Sequence, residues 1–129
     1  MNPVTGLALG RIAIGVGALA SPDLASKLFR LDGPGNPQLA YMTRMFGSRE
    51  IALGAVTLLS KGAARRKLVA LGIAVDGADA FAGLDAIQTG AVDKQTGVGL
   101  VAPAVFAVAA GFVGLFSRTK GPKVKAVKD

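Results

Sequence analysis

The chain has 129 residues, enough for one domain, with 51% hydrophobic residues, 18 Gly, 23 Ala and only 18% charged residues, against about 25% charged in an average soluble domain. A mean hydropathy of +0.49 excludes a disordered chain, and the absence of Cys and His excludes disulfides, thiolate nucleophiles, zinc–thiolate sites and an imidazole base. The net charge is +7 with 5% aromatics, and no basic face interleaves with aromatic residues, so nucleic acid is not an expected partner.

The first apolar segment runs from residue 4 to 20 and contains Arg11. It is short for a membrane span, which needs about 20 largely apolar residues. Ala18-Leu19-Ala20 before Ser21 fits a signal-peptidase site, but no Lys or Arg precedes Arg11. A retained span is therefore expected. Ser21-Pro22 then reads as the cap and first residue of a short amphipathic helix, with Leu24, Leu28 and Leu31 on one face. Asp32-Gly33-Pro34-Gly35 is a turn, and Asn36-Pro37 reads as the cap and first residue of the second apolar segment, 37–59. That segment contains Arg44, Arg49 and Glu50, and Gly62 is expected to close it. The third segment, 68–88, contains Asp76, Asp79 and Asp85 and is closed by Gly90. The fourth, 98–117, has no charge.

This pattern predicts an all-α fold: a four-helix transmembrane bundle over 1–117, a short interfacial helix between the first and second spans, and a basic tail over 118–129. Nine of the 15 basic residues lie in 61–67 and 118–128, whereas the charges of 21–36 and 89–97 sum to zero. With four spans both basic clusters fall on one side. The positive-inside rule then predicts a multi-pass protein of the plasma membrane with both termini in the cytoplasm. Gly6 and Gly10, Gly47 and Gly54, Ala74, Ala78 and Ala82, and Ala107, Gly111 and Gly114 form small-residue stripes. Such stripes serve close helix packing within the chain or homo-oligomer contacts.

Seven ionisable residues lie inside apolar segments: Arg11, Arg44, Arg49, Glu50, Asp76, Asp79 and Asp85. Each costs at least about 2.5–3.5 kcal/mol if left facing lipid, so a buried ion network or ligand site is expected. Arg11, Arg49, Glu50, Asp76 and Asp79 fall at one depth, whereas Arg44 and Asp85 lie toward the other face of the membrane. Asp76 and Asp79 share a helix face. Two arginines then meet three carboxylates, and an arginine fork can serve two of them. Arg11 and Arg49 compete with any cation for those oxygens, so no metal is expected, and no cofactor is implied.

Two functions suit this pattern. One is a binding, accessory or transport-related membrane protein, with the bilayer as partner and a small polar or lipid ligand at the charged centre. The other is a small membrane enzyme, an isomerase, cyclase or epoxide-opening catalyst. Asp76, Asp79 or Glu50 would then act as the acid, with an Arg orienting a lipid-soluble substrate.

The run Arg44-Met45-Phe46-Gly47-Ser48-Arg49-Glu50-Ile51-Ala52-Leu53-Gly54, with Leu9-Gly10-Arg11 before it and Asp76-Gly77-Ala78-Asp79 after it, resembles an uncharacterised family of small four-helix integral membrane proteins from bacteria and fungi. That family is broadly similar to the DoxX-like proteins in size and topology, and the resemblance covers roughly residues 5–117. It implies fold and location rather than chemistry. The thiol chemistry tied to some DoxX-like proteins does not carry over to a chain without Cys.

Overall fold

A computed structural model describes residues 2–116. The expected tail, 118–129, lies outside the described residues. The chain folds into five helices, with no strand among the described residues: α1 (Pro3–Ala20), α2 (Pro22–Leu28), α3 (Leu39–Leu59), α4 (Gly62–Gln88) and α5 (Lys94–Phe116).

Local chemistry sets most helix ends. Asn2 caps α1 by accepting the Val4 N–H at 2.9 Å, and Pro3 occupies the first helical position. Pro22 opens α2 as its position after Ser21 suggests, although the Ser21 side chain makes no capping bond. The expected start of α3 at Asn36-Pro37 is two residues early. The Asn36 carbonyl accepts the Leu39 N–H at 3.0 Å, so Pro37 and Gln38 form a tight turn ahead of the helix. The role expected of Gly62 is also corrected. Ser60 ends α3, and Gly62, with φ +60°, is the first residue of α4. The connection is therefore only two residues long, and Arg65, Arg66 and Lys67 lie on α4 rather than in a loop. Gly90, at φ +76°, does follow the end of α4 in the left-handed conformation that favours glycine. Helix α5 starts four residues before the uncharged segment because Asp93 accepts the Thr96 N–H at 2.7 Å.

The four long helices form a ring. Helix α1 packs along α3 and α4 packs along α5, and the two pairs meet along α1–α5 and α3–α4. Glycine makes the α1–α3 seam. A Cβ on Gly15 would fall 2.6 Å from the Gly47 carbonyl oxygen, and one on Gly54 would fall 2.6 Å from the Ala8 oxygen. Backbone thus meets backbone. Gly111 admits Ile73, and Gly114 admits Val4. Half of the expected stripes lie elsewhere: Gly10, Ala74, Ala78 and Ala82 are exposed, and a Cβ on Gly10 would meet open space.

Large apolar side chains lie mostly outside, and three charged ones lie inside. The buried apolar residues are Val4, Ala8, Ala18, Val69 and Ala104, while Arg11, Glu50 and Asp76 are buried with them. The outer wall carries Leu9, Ile14, Met45, Val56, Leu71, Phe81, Phe106 and Phe112, all exposed. In α2, Ser26 is buried and donates to the Pro22 carbonyl, whereas Leu24 and Leu28 face outward. Two helices, α1 and α5, are long and apolar enough to cross a membrane, with only 28% and 11% of their apolar windows buried.

Two predictions follow from the seams and caps. Gly54→Ala should lower the unfolding free energy in detergent by about 1–3 kcal/mol, because it overpacks a backbone contact. Gly10→Ala should be neutral or stabilising by up to about 1 kcal/mol. Equal losses for both would contradict the α1–α3 seam. At the start of α5, the Thr96 backbone hydrogen bond holds the Asp93 carboxylate below its ordinary range. Its folded pKa lies below the unfolded value of about 3.9, so the cap is present at neutral pH and lost as pH falls through the lower folded value. Amide exchange at Thr96 should therefore accelerate in Asp93→Ala at pH 7, while wild-type protection persists to about pH 4.

Candidate functional site

Three helices deliver charge to one level. Arg11 lies at the middle of α1, Arg49 and Glu50 at the middle of α3, and Asp76 and Asp79 near the middle of α4. One turn separates Asp76 from Asp79, so both carboxylates face the ring's interior side of α4.

The five side chains form a continuous chain of ion pairs. The Arg11 fork grips Asp76: Nη1 donates to Oδ1 at 3.1 Å, and Nη2 donates to Oδ2. Arg11 Nη1 also donates to Glu50 Oε2 at 2.9 Å. The other Glu50 oxygen, Oε1, accepts from Arg49 Nη2 at 3.2 Å. Arg49 in turn forks onto Asp79, with Nη1 to Oδ1 at 3.2 Å and Nη2 to Oδ2 at 2.6 Å. The order is Asp76–Arg11–Glu50–Arg49–Asp79. All six carboxylate oxygens accept from a guanidinium, and Glu50 is shared by both arginines.

Helices α1 and α4 sit across the ring from one another, so Arg11 spans its centre. Arg11 Nη2 also reaches the Gly72 carbonyl at 3.4 Å, and a Cβ on Gly72 would fall 3.0 Å from that nitrogen. Glycine one turn before Asp76 thus leaves room for the guanidinium. Phe46, one turn before Arg49, places its ring 5.1 Å from the Arg49 guanidinium carbon. Gly72 and Phe46 were not singled out by sequence. Their one-turn spacing from Asp76 and Arg49 is the signal that points to them.

Burial grades along the chain of charges. The Arg11, Glu50 and Asp76 side chains are 6–7% exposed, whereas Arg49 is 37% and Asp79 34% exposed. One end is sealed, and the other opens at the α3–α4 seam. Arg44 and Asp85, expected among the network residues, do not join it. Arg44 is exposed and its Nε reaches the Leu19 carbonyl at 3.5 Å, while Asp85 is exposed near the end of α4. Both lie more than a turn from the central level, which is why they miss it.

Oxygens of Glu50, Asp76 and Asp79 lie within 4.8 Å of one another, a spacing compatible with a cation. The two guanidiniums already occupy those oxygens, so the donor set does not suit a metal ion. No family model, curated protein or solved structure matches this chain.

Removing one partner of a buried pair leaves a charge without compensation and costs about 3–5 kcal/mol. Arg11→Met should therefore lower the unfolding free energy in detergent by about that amount. Asp79→Asn, at the open end, leaves Arg49 its contact with Glu50 and should cost less. A loss at Asp79 equal to that at Arg11 would contradict the graded burial.

Proposed function

We propose that this chain is a multi-pass membrane protein that binds the polar end of a lipid-soluble molecule at Arg49 and Asp79, between α3 and α4. The observation that carries the reading is the apolar outer wall: all four long helices expose large apolar side chains, while the ionic network sits at mid-length. Helices α1 and α5 pass as spans on length and hydropathy. Helices α3 and α4, with 21 and 27 residues, are about 31 and 40 Å long at 1.5 Å per residue, which also suffices. Their charge counts set them apart, and Arg49, Glu50, Asp76 and Asp79 are paired with one another or with Arg11. Pairing lowers the cost of carrying these charges across a membrane.

Alternating direction supports a four-span arrangement. The Gly114 end of α5 meets Val4 near the start of α1, and Arg65 near the start of α4 donates to Thr5 at 2.9 Å. The basic residues 61–67 then share a side with the amino terminus, on the cytoplasmic face by the positive-inside rule. The exposed Leu24 and Leu28 suit α2 to the membrane interface.

The open end of the network gives the ligand site its character. At mid-depth, a half-open Arg–Asp pair is costly against lipid tails and inexpensive against a hydroxyl, carbonyl or amide. The enzyme reading needs a carboxyl that donates a proton. Both oxygens of Asp76 and of Asp79 accept from an arginine, which favours binding over acid catalysis.

A chain without Cys suits single-cysteine labelling with a membrane-impermeant maleimide. Lys61→Cys should label from the cytoplasmic side, and Asn36→Cys and Gln95→Cys from the opposite side. Labelling of Asn36→Cys and Lys61→Cys from one side would overturn the four-span reading. Solvent extracts of purified wild type should contain a polar-headed lipid-soluble species that is depleted in Asp79→Asn. Equal recovery from both would overturn the site assignment.

A further inference from the structure

The two ends of the helical ring differ in charge. At one end, Asp23, Lys27, Arg30, Asp32, Asp93 and Lys94 are mixed in sign. At the other, Lys61, Arg65, Arg66 and Lys67 cluster at the α3–α4 turn, and the described residues around them include no Asp or Glu. Lys61, Arg66 and Lys67 are exposed and take part in no ion pair among the described residues. Arg65 is tied to Thr5, and its Nε is buried without an acceptor. Placing Arg65, Arg66 and Lys67 in the opening turns of α4 sets them at the positive end of the helix dipole, where cations are unfavourable. No acidic residue in that first turn offsets them.

We propose that this turn holds the headgroup of an anionic phospholipid, with the phosphate beside Lys61, Arg66 and Lys67. Rim and wall are continuous here. Leu59, 84% exposed, ends α3 two residues before Lys61; exposed Val56 lies one turn before it on α3, and exposed Leu71 one turn after Lys67 on α4. A molecule that is anionic at one end and apolar at the other matches both surfaces. A soluble phosphate matches only the upper one. The inference rests on the reading of α3 and α4 as membrane spans. The headgroup supplies the negative charge that the start of α4 lacks, beside a turn that Arg65 already ties to Thr5 at the start of α1.

Native mass spectrometry of the full chain in detergent tests this, with short-chain phosphatidylglycerol as the anionic probe, short-chain phosphatidylcholine as the zwitterionic one and glycerol 3-phosphate as the tail-free one. Wild type should prefer phosphatidylglycerol to the other two. At about fivefold per basic residue, Lys61→Gln, Arg66→Gln and Lys67→Gln combined should weaken its binding about a hundredfold. Lys61→Arg with Lys67→Arg, which keeps the charge, should retain it. Undiminished binding in the triple variant would overturn the proposal, and so would glycerol 3-phosphate binding as tightly as the lipid. Carbonate extraction separates the underlying reading. Release of wild type from membranes would overturn the spans themselves, whereas retention without a phosphatidylglycerol preference would overturn only the headgroup site.

Discussion

Glu50 connects the two halves of the ionic chain. One of its oxygens accepts from Arg11 and the other from Arg49, and each arginine holds an aspartate of α4 with its fork. A single carboxylate on α3 thereby ties α1 to α3 and, through both arginines, to α4. The geometry is directional. Forked guanidinium–carboxylate contacts fix rotation and height along the helix axis, which apolar contacts leave comparatively free.

Such a network needs a reason beyond stability, because well-packed apolar side chains often stabilise a buried position as well as ion pairs do. The packing suggests that reason. Glycine-mediated contact unites α1 with α3, and α4 packs closely on α5, but the two pairs share less surface with each other. The ions sit where that contact is thin. They set the spacing and register of the two pairs, and Arg49 and Asp79 occupy the seam where α3 and α4 separate.

Most of this was legible in the sequence where one physical rule acted alone. Helix α2 starts where Ser21-Pro22 places it, and α1 starts one residue before the first apolar segment. The five network residues fall at one depth because the helical rise is fixed. Legibility failed where two rules competed. Gly62 reads as a helix stop, yet the same left-handed glycine starts α4 because Lys61 is already extended. Small-residue stripes occur on several faces of each helix, and spacing alone does not separate Gly54, which meets backbone, from Gly10, which meets nothing. Arg44 and Asp85 group with the network by residue type, although the fixed helical rise already sets them at another level. The grading of burial from Arg11 to Asp79 depends on which helices are neighbours in the ring, and that is a tertiary fact.

The sequence separation within the network bears on biogenesis. Arg11 finds its partners 39 and 65 residues further along the chain. At a synthesis rate of about 5–20 residues per second, α1 emerges seconds before Glu50 and longer still before Asp76. If α1 enters a bilayer, it does so as a helix with an unsatisfied arginine at its centre. Arg49 and Glu50 arrive together on α3 but remain incomplete until α4 follows. Insertion one helix at a time would thus pass through states with isolated charge in lipid. Release into the membrane as a group of three helices, neutralised in large part before they leave the insertion machinery, avoids those states. On the reading of these helices as membrane spans, the shared carboxylate that positions them also makes their entry cooperative.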